Sequence, residues 1–271
     1  PWYLLFPFIF YLFGIKVFGF FDGRMALLFC MAGILLILWK WIRQKPLARL
    51  AVTVVALSPS VIDYFIEGRS DMFAFFWLLA ALFLLQNKKL GLASAIFGLA
   101  VMSKQTIWIA VPFYAAYIFS ITIKDRRWMW KSFAFVSLVM IALSAPFLVW
   151  DGRAFIDSVI LYLSGGTAGS YPVSGYGLGM VLYSSGVIRD IHAAYPFFFW
   201  QAGFGVPVLI ILLRWVYRRP TISTFLFGYG TFLAVFWYMS RYFNNSHIGY
   251  ISLVFLVGGI LFLNETKEQA T

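Results

Sequence analysis

Nine apolar runs separated by short polar hinges constrain this chain more than any other feature. They fall at about Met25–Trp41, Ala48–Ile62, Met72–Leu85, Leu90–Met102, Thr106–Ile123, Ser132–Val149, Phe197–Val216, Thr221–Met239 and Ile248–Leu263. With 62% hydrophobic and 11% charged residues, the sequence lacks the polar surface that a soluble domain of 271 residues requires. In a bilayer each backbone polar group must be satisfied within the segment, which makes such runs helices. The expected fold class is therefore all-α: a polytopic transmembrane helix bundle of about nine spans, forming a single domain over residues 1–271. Several runs are shorter than the ~20 residues of an upright span, so interfacial residues must complete them. The opening segment, Trp2–Phe13, is shorter still and reads as an interfacial helix. The chain opens at Pro1-Trp2-Tyr3 without Met or a signal-peptide n-region, and is expected to be preceded by further sequence.

Charge then orients the bundle. Alternating the runs places Lys40, Arg43, Lys45, Arg49, Lys88, Lys89, Lys124, Arg126, Arg127, Lys131, Arg214, Arg218, Arg219 and Lys267 on one face. These are 14 of the 21 cations; Lys16, Arg24, Arg69, Lys104, Arg153, Arg189 and Arg241 fall on the other. Seven of the ten acids, Asp22, Asp63, Glu67, Asp71, Asp151, Asp157 and Asp190, share the cation-poor face, as do His192 and His247. By the positive-inside rule the cation-rich face is cytoplasmic and the acid-bearing face external. The net charge of +11 thus reflects membrane topology rather than nucleic-acid binding, because the cations sit in short hinges. Cys30 is the one cysteine and lies in an apolar run, which excludes a disulfide framework and a thiolate metal site.

Two stretches carry candidate chemistry. Between Ser58 and Asp71, four ionisable groups (Asp63, Glu67, Arg69, Asp71) lie between two apolar runs. Ionisable groups near membrane depth are costly and point to function. The second stretch, about 151–195, is the longest expected to be non-helical and should form a long external loop. Its centre, Ser164 to Gly177, is rich in Gly and Ser, and four tyrosines between 162 and 183, Tyr171 and Tyr176 among them, suit a loop covering a sugar.

Three pieces together resemble the GT-C superfamily of membrane glycosyltransferases, in particular its bacterial mannosyltransferase-like and GPI-mannosyltransferase-like branches. They are Pro1-Trp2-Tyr3-Leu4-Leu5 with Leu12-Phe13-Gly14 and Arg24, then Ala56-Leu57-Ser58-Pro59 with Gly68-Arg69-Ser70-Asp71, and Gly98 to Gln105 ahead of Pro112. The resemblance covers roughly residues 1–115. It implies a polyprenyl-phosphate sugar donor, a lipid, glycan or protein acceptor, and an active site on the external face of a bacterial cytoplasmic membrane. The superfamily's catalytic Asp lies upstream of the proline stretch, so that residue is expected outside this chain, with Asp71 and Glu67 as supporting carboxylates.

Such a transfer needs a carboxylate for the acceptor proton and cations for the departing phosphate. Arg24, Arg69, Lys104 and Arg241 are the candidate phosphate contacts. The competing structural readings are a local pair of Arg69 with Glu67 or Asp71, a snorkelling Lys104, an N-cap role for Asp71 and a turn at Asp22-Gly23. His247 has no partner at metal-ligand spacing, so a hydrogen bond to substrate or loop is favoured. No cofactor is assigned, and involvement of a divalent metal is left open. The absence of Walker A, dinucleotide and His-Glu-x-x-His patterns argues against nucleotide-sugar or ATP binding and zinc hydrolysis. The alternatives from other classes are a secondary transporter or a lipid-linked glycan flippase or polymerase, and a non-catalytic scaffold.

Overall fold

The computed structural model describes residues 1–164 and 170–269. The chain runs α1 (Trp2–Phe18), α2 (Arg24–Trp41), α3 (Lys45–Leu57), α4 (Pro59–Ile66), α5 (Asp71–Gln86), α6 (Leu90–Val101), a 3-10 segment (Gln105–Ala110), α7 (Val111–Ile121) and α8 (Arg126–Ile156). A π-helical turn (Asp157–Leu161) and a last turn (Tyr162–Ser164) extend α8, followed by β1 (Ser174–Gly175) and α9 (Leu178–Ser184). The chain then continues through α10 (Phe197–Arg218), α11 (Ile222–Tyr238), β2 (Tyr242–Phe243) and α12 (Asn245–Gln269). The all-α reading holds, apart from a two-residue parallel pairing of β1 with β2.

The expectation of nine spans is not reproduced by helix length. Among the described residues, four helical stretches are long and apolar enough to cross a membrane: Arg24–Trp41, Arg126–Leu161, Phe197–Arg218 and Asn245–Thr266. Lys45–Leu57 and Pro59–Ile66, bent by 44° at Ser58, make a fifth if counted as one broken span. The bend follows from the sequence, because a residue before proline is pushed out of the α region and Ser58 adopts ψ 126°. The other apolar helices have 10–17 residues.

Two short helices, α5 and α11, are largely buried. In α5, Phe73, Ala74, Phe75, Leu78, Leu79, Ala81 and Leu82 are wholly inaccessible. α5 packs between α2 and α6, α6 packs on α8, and α11 lies against α10 and α12. The long α8 and α10 are peripheral and turn Leu138, Ile141, Ile210 and Ile211 outward, as lipid-facing helices do. α1 is longer than the expected Trp2–Phe13 and, Lys16 aside, apolar around its circumference. Its N-terminal turn seats Trp2, Tyr3 and Phe6 against Phe73 and Trp77 of α5.

The segment 151–195 departs from expectation. Residues 151–164 are helical, because the Gly- and Ser-rich composition begins only at Ser164. Asp151 marks a sharp break (φ −152°, ψ 87°) and its Oδ1 accepts the Ala154 N–H at 2.9 Å, capping the helix that resumes. Of the expected loop centre, Ser164 to Gly177, residues 165–169 lie outside the described residues.

Several polar hinges fall at opposite ends of the bundle. Arg24 donates to the Ile66 carbonyl (3.5 Å) and Lys104 meets Asp71 (2.6 Å), so these acid-bearing hinges share one end. Lys88, Lys89 and Lys131 line one groove at the other end. In a Cys30→Ala background, single cysteines at Lys124 and Arg189 should react with a membrane-impermeant maleimide from opposite faces. Labelling of both from the same face would refute this arrangement.

Candidate functional site

The acid-bearing end is built around a break in a helix. α6 stops at Met102, Lys104 adopts an extended conformation (φ −157°, ψ 144°), and the chain re-enters as the 3-10 segment. A break in an apolar bundle exposes carbonyls that need donors. Ser103 Oγ donates to Leu99 O (2.8 Å), Trp108 Nε1 to Val101 O (3.0 Å) and Trp2 N–H to Met102 O (3.1 Å). The break is thereby satisfied, and it delivers Lys104 to the start of α5.

There Lys104 Nζ donates to Asp71 Oδ1 at 2.6 Å, with side chains 27% and 10% exposed respectively. This pairing resolves two readings. Asp71 opens α5, where the helix dipole favours its charge, yet makes no side-chain capping bond; Ser70 occupies the cap position. Lys104 is tied to a carboxylate 33 residues away rather than extended as an anchor. The second carboxylate oxygen, Asp71 Oδ2, is buried with no hydrogen-bond partner among the described residues.

Two further pairs lie outward of this one. Arg69 Nε meets Glu67 Oε2 at 2.5 Å, with both side chains about half exposed (46% and 50%). The Arg69 guanidinium also lies 5.6 Å from the Tyr64 ring. Arg24 bonds both oxygens of Asp22 through Nε (3.0 and 2.8 Å) and also through Nη2. The Arg24 N–H adds a bond to Asp22 Oδ1 (2.9 Å), so Asp22-Gly23 forms the expected turn. These bonds hold the Asp22 carboxyl below its ordinary pKa. A methyl group placed on Gly68 would lie 4.0 Å from Arg24 Cγ, so the two exposed arginines flank one loop.

Arg241 departs from the phosphate reading. It is 2% exposed, and its guanidinium donates to the carbonyls of Tyr171, Ala193 (2.8 Å) and Ile191 (3.0 Å). Its charge is directed into the loop 170–195 instead of toward open space, and burial lowers its pKa. The same loop is held at β1, where Gly175 (φ +90°) passes so close to the Phe243 carbonyl that a Cβ would lie 2.0 Å from it. The Tyr171 ring packs at a tilt against Tyr242 (centroids 4.7 Å apart), and its hydroxyl accepts from Asn244 Nδ2 (3.1 Å). Tyr176 is 61% exposed.

His247 follows the expected loop bond. Its Nδ1 accepts the Asn244 N–H at 3.0 Å, and its ring packs 4.2 Å from Trp237. Among the described residues no three His, Cys, Asp or Glu side chains are grouped as a metal site. The sequence did not single out Tyr229 and Tyr250, whose hydroxyls meet at 3.1 Å while Tyr229 also donates to Thr106 O (3.2 Å). Both are wholly buried in apolar helices, and aromatic residues there read as core; only the need of a buried hydroxyl for a partner marks them.

Removing one partner of the central pair should leave a charge stranded. Lys104→Met is expected to destabilise the protein by about 3 kcal/mol, near the lower end for a buried pair because the lysine is partly exposed. Asp71→Asn combined with Lys104→Met should recover most of the loss in detergent melting. Additive losses would show that the pair is uncoupled. For Arg241, the Arg241→Lys variant keeps the charge and loses the three-way fork. In proteoliposomes, protease cleavage within 170–195 should accelerate tenfold or more while α-helical content is retained; unchanged cleavage would contradict the pinning role.

The comparisons with known proteins bear on the whole chain. No curated protein and no solved structure matches. The family model described as Glycosyltransferase family 87 matches residues 2–263, well beyond the 1–115 over which the sequence motifs carry a resemblance. That match extends over every element that builds the acid-bearing end, and the chain belongs to glycosyltransferase family 87, a GT-C-type family of membrane glycosyltransferases.

Proposed function

We propose that this protein transfers a sugar, mannose in the first instance, from a polyprenyl-phosphate donor to a lipid, glycan or protein acceptor, at the acid-bearing end of the bundle and on the external side of a bacterial cytoplasmic membrane. One observation carries the placement: the Asp71–Lys104 pair buried at the helix break, with Asp71 Oδ2 left without a partner among the described residues. A buried acceptor is unfavourable unless a donor reaches it, and a sugar hydroxyl is such a donor. Lys104, held by the other oxygen, offers its charge where phosphate oxygen accumulates negative charge during transfer.

Helix lengths support the depth of the site. At 1.5 Å per residue the 16 residues of α5 reach about 24 Å, short of a hydrocarbon core of about 30 Å. On this reading Asp71 and the break at Lys104 lie below the level of the interface. A donor with its lipid in the bilayer brings its phosphate to that level without leaving the membrane. Arg24 and Arg69 flank the same rim and suit phosphate through guanidinium edges not engaged by Asp22 and Glu67. The loop 170–195, with the exposed Tyr176, is on this reading the element that covers the sugar. On this reading several of the shorter helices cross the membrane with the help of interfacial residues, giving the nine-span topology, and the cation-rich end is cytoplasmic.

The test is reconstitution of the full chain with a panel of polyprenyl-phosphate and nucleotide sugars. Turnover with the lipid-linked donors is expected, and Asp71→Asn and Lys104→Ala should each lower it about a hundredfold, the scale of a lost transition-state contact. Lys124→Ala, at the opposite end, serves as the control. Turnover with nucleotide sugars alone, or equal small effects of all three variants, would overturn the proposal.

A further inference from the structure

The end of the bundle opposite the glycosyl-transfer site carries a groove of about 500 Å³ lined by Lys88, Lys89, Gly91, Trp128, Lys131 and Phe135, with Leu90 and Leu92 completing it. It lies where the α5–α6 turn meets the first turns of α8. We propose that this groove is a binding site for the headgroup of an anionic phospholipid, whose acyl chains descend along the apolar face formed by α6 and α8.

Four features support this occupant. First, three cations converge there, no acid lines the groove, and none of the three lysines has a carboxylate partner among the described residues. That contrasts with the acid-bearing end, where Arg24, Arg69 and Lys104 each hold a carboxylate. Second, the lysines are fixed by local contacts. Lys131 Nζ lies 4.6 Å from the ring of Trp128, another residue of the groove. Lys88 has φ +60°, the only positive φ at a non-glycine residue among those described, in the turn that ends α5, where its N–H and that of Lys89 meet the Leu85 and Leu84 carbonyls (3.0 Å each). Third, α6 begins at Leu90, a residue of the groove, with no side-chain cap, and a helix N-terminus favours an anion.

The fourth feature separates a lipid from a free anion. Below the lysines the groove wall turns apolar: Phe135 and Leu92 are 41% and 53% exposed, and Leu138 one turn further along α8 is 63% exposed. The floor is formed by close approach of the two helices, since a Cβ at Gly91 would lie 3.2 Å from the Phe135 ring. Charge at the rim continuing into apolar wall matches an amphiphile with phosphate at the interface and chains below it. A small phosphate would use only the upper part. Ordinary snorkelling of lysines toward an interface would require no such convergence.

The experiment uses the full chain in neutral detergent and follows its melting temperature on addition of phosphatidylglycerol, phosphatidylcholine or inorganic phosphate. Phosphatidylglycerol should stabilise the wild type well above phosphatidylcholine, with inorganic phosphate without effect at the same concentration. The triple variant Lys88→Gln, Lys89→Gln, Lys131→Gln should melt normally in phosphatidylcholine and bind phosphatidylglycerol roughly a hundredfold more weakly, because each basic residue near an anionic headgroup contributes about a factor of five. A control triple, Lys124→Gln, Arg218→Gln, Arg219→Gln, removes equal charge from the same end outside the groove and should retain the stabilisation. Equal loss in both triples would reduce the effect to diffuse surface charge, and stabilisation by inorganic phosphate alone would assign the site to a soluble anion; either overturns the proposal. Failure here leaves the glycosyltransferase reading untouched, since no residue is shared between the two sites.

Discussion

The interaction on which the acid-bearing end depends is the ion pair between Asp71 and Lys104. It joins the first residue of a largely buried helix, α5, to the break between α6 and the 3-10 segment. Desolvating two charges costs several kcal/mol per ion, and mutual attraction returns that only when geometry and further hydrogen bonds are good. Well-packed hydrophobic residues would serve stability equally well at this position. A polar pair retained at such cost is more economically explained by chemistry than by folding, the more so because one oxygen of Asp71 remains without a partner among the described residues. The surrounding contacts fix the pair in place: Trp2, Ser103 and Trp108 satisfy the broken helix, and the Tyr229–Tyr250 pair supports Thr106 just beyond it.

Helix length carries the next level of organisation. The short α5 and α11 are largely buried, while the long α8 and α10 lie at the periphery, so the bundle is not one of equal spans. A buried helix that ends early places its terminal dipole and side chains where the dielectric is lower and electrostatic contacts are stronger. Backbone breaks at membrane depth are tolerated where they face protein and not hydrocarbon. The loop 170–195, pinned by Arg241 and by the β1–β2 pairing, is secured to the hinge between α11 and α12 and not to the core.

Much of this was legible in the sequence, for reasons that can be named. The apolar runs marked the helices, and the turn at Asp22-Gly23 was legible because it is a local property. The bend at Ser58 was not read, because Ala48–Ile62 formed one continuous apolar run across Ser58-Pro59. What else escaped was non-local. Asp71 and Lys104 are 33 residues apart, and each had a nearer plausible role, as a cap or a snorkelling anchor. Arg241 looked like a free cation because its three partners are backbone carbonyls, which leave no mark in side-chain identity. The helical character of 151–164 was hidden by the Gly- and Ser-rich stretch that follows it, whose composition dominated the reading of the whole segment.

The two ends of the bundle use charge in opposite ways, and this bears on recognition. At the acid-bearing end Asp22, Glu67 and Asp71 compensate Arg24, Arg69 and Lys104 one for one. On the proposed reading, a donor phosphate meets paired charges there and is recognised by geometry: by the guanidinium edges that Asp22 and Glu67 leave unused, and by a lysine already oriented by a carboxylate. Weak net attraction would suit such a site, because on that reading the product phosphate has to leave after the sugar has moved. An interaction that forms only as charge develops accelerates the reaction, whereas uniform binding does not. At the cation-rich end Lys88, Lys89 and Lys131 have no carboxylate partner among the described residues, which suits a long-lived association with an anionic surface and the orientation it imposes. Pairing, rather than the number of cations, therefore distinguishes a place suited to turnover from a place suited to anchorage.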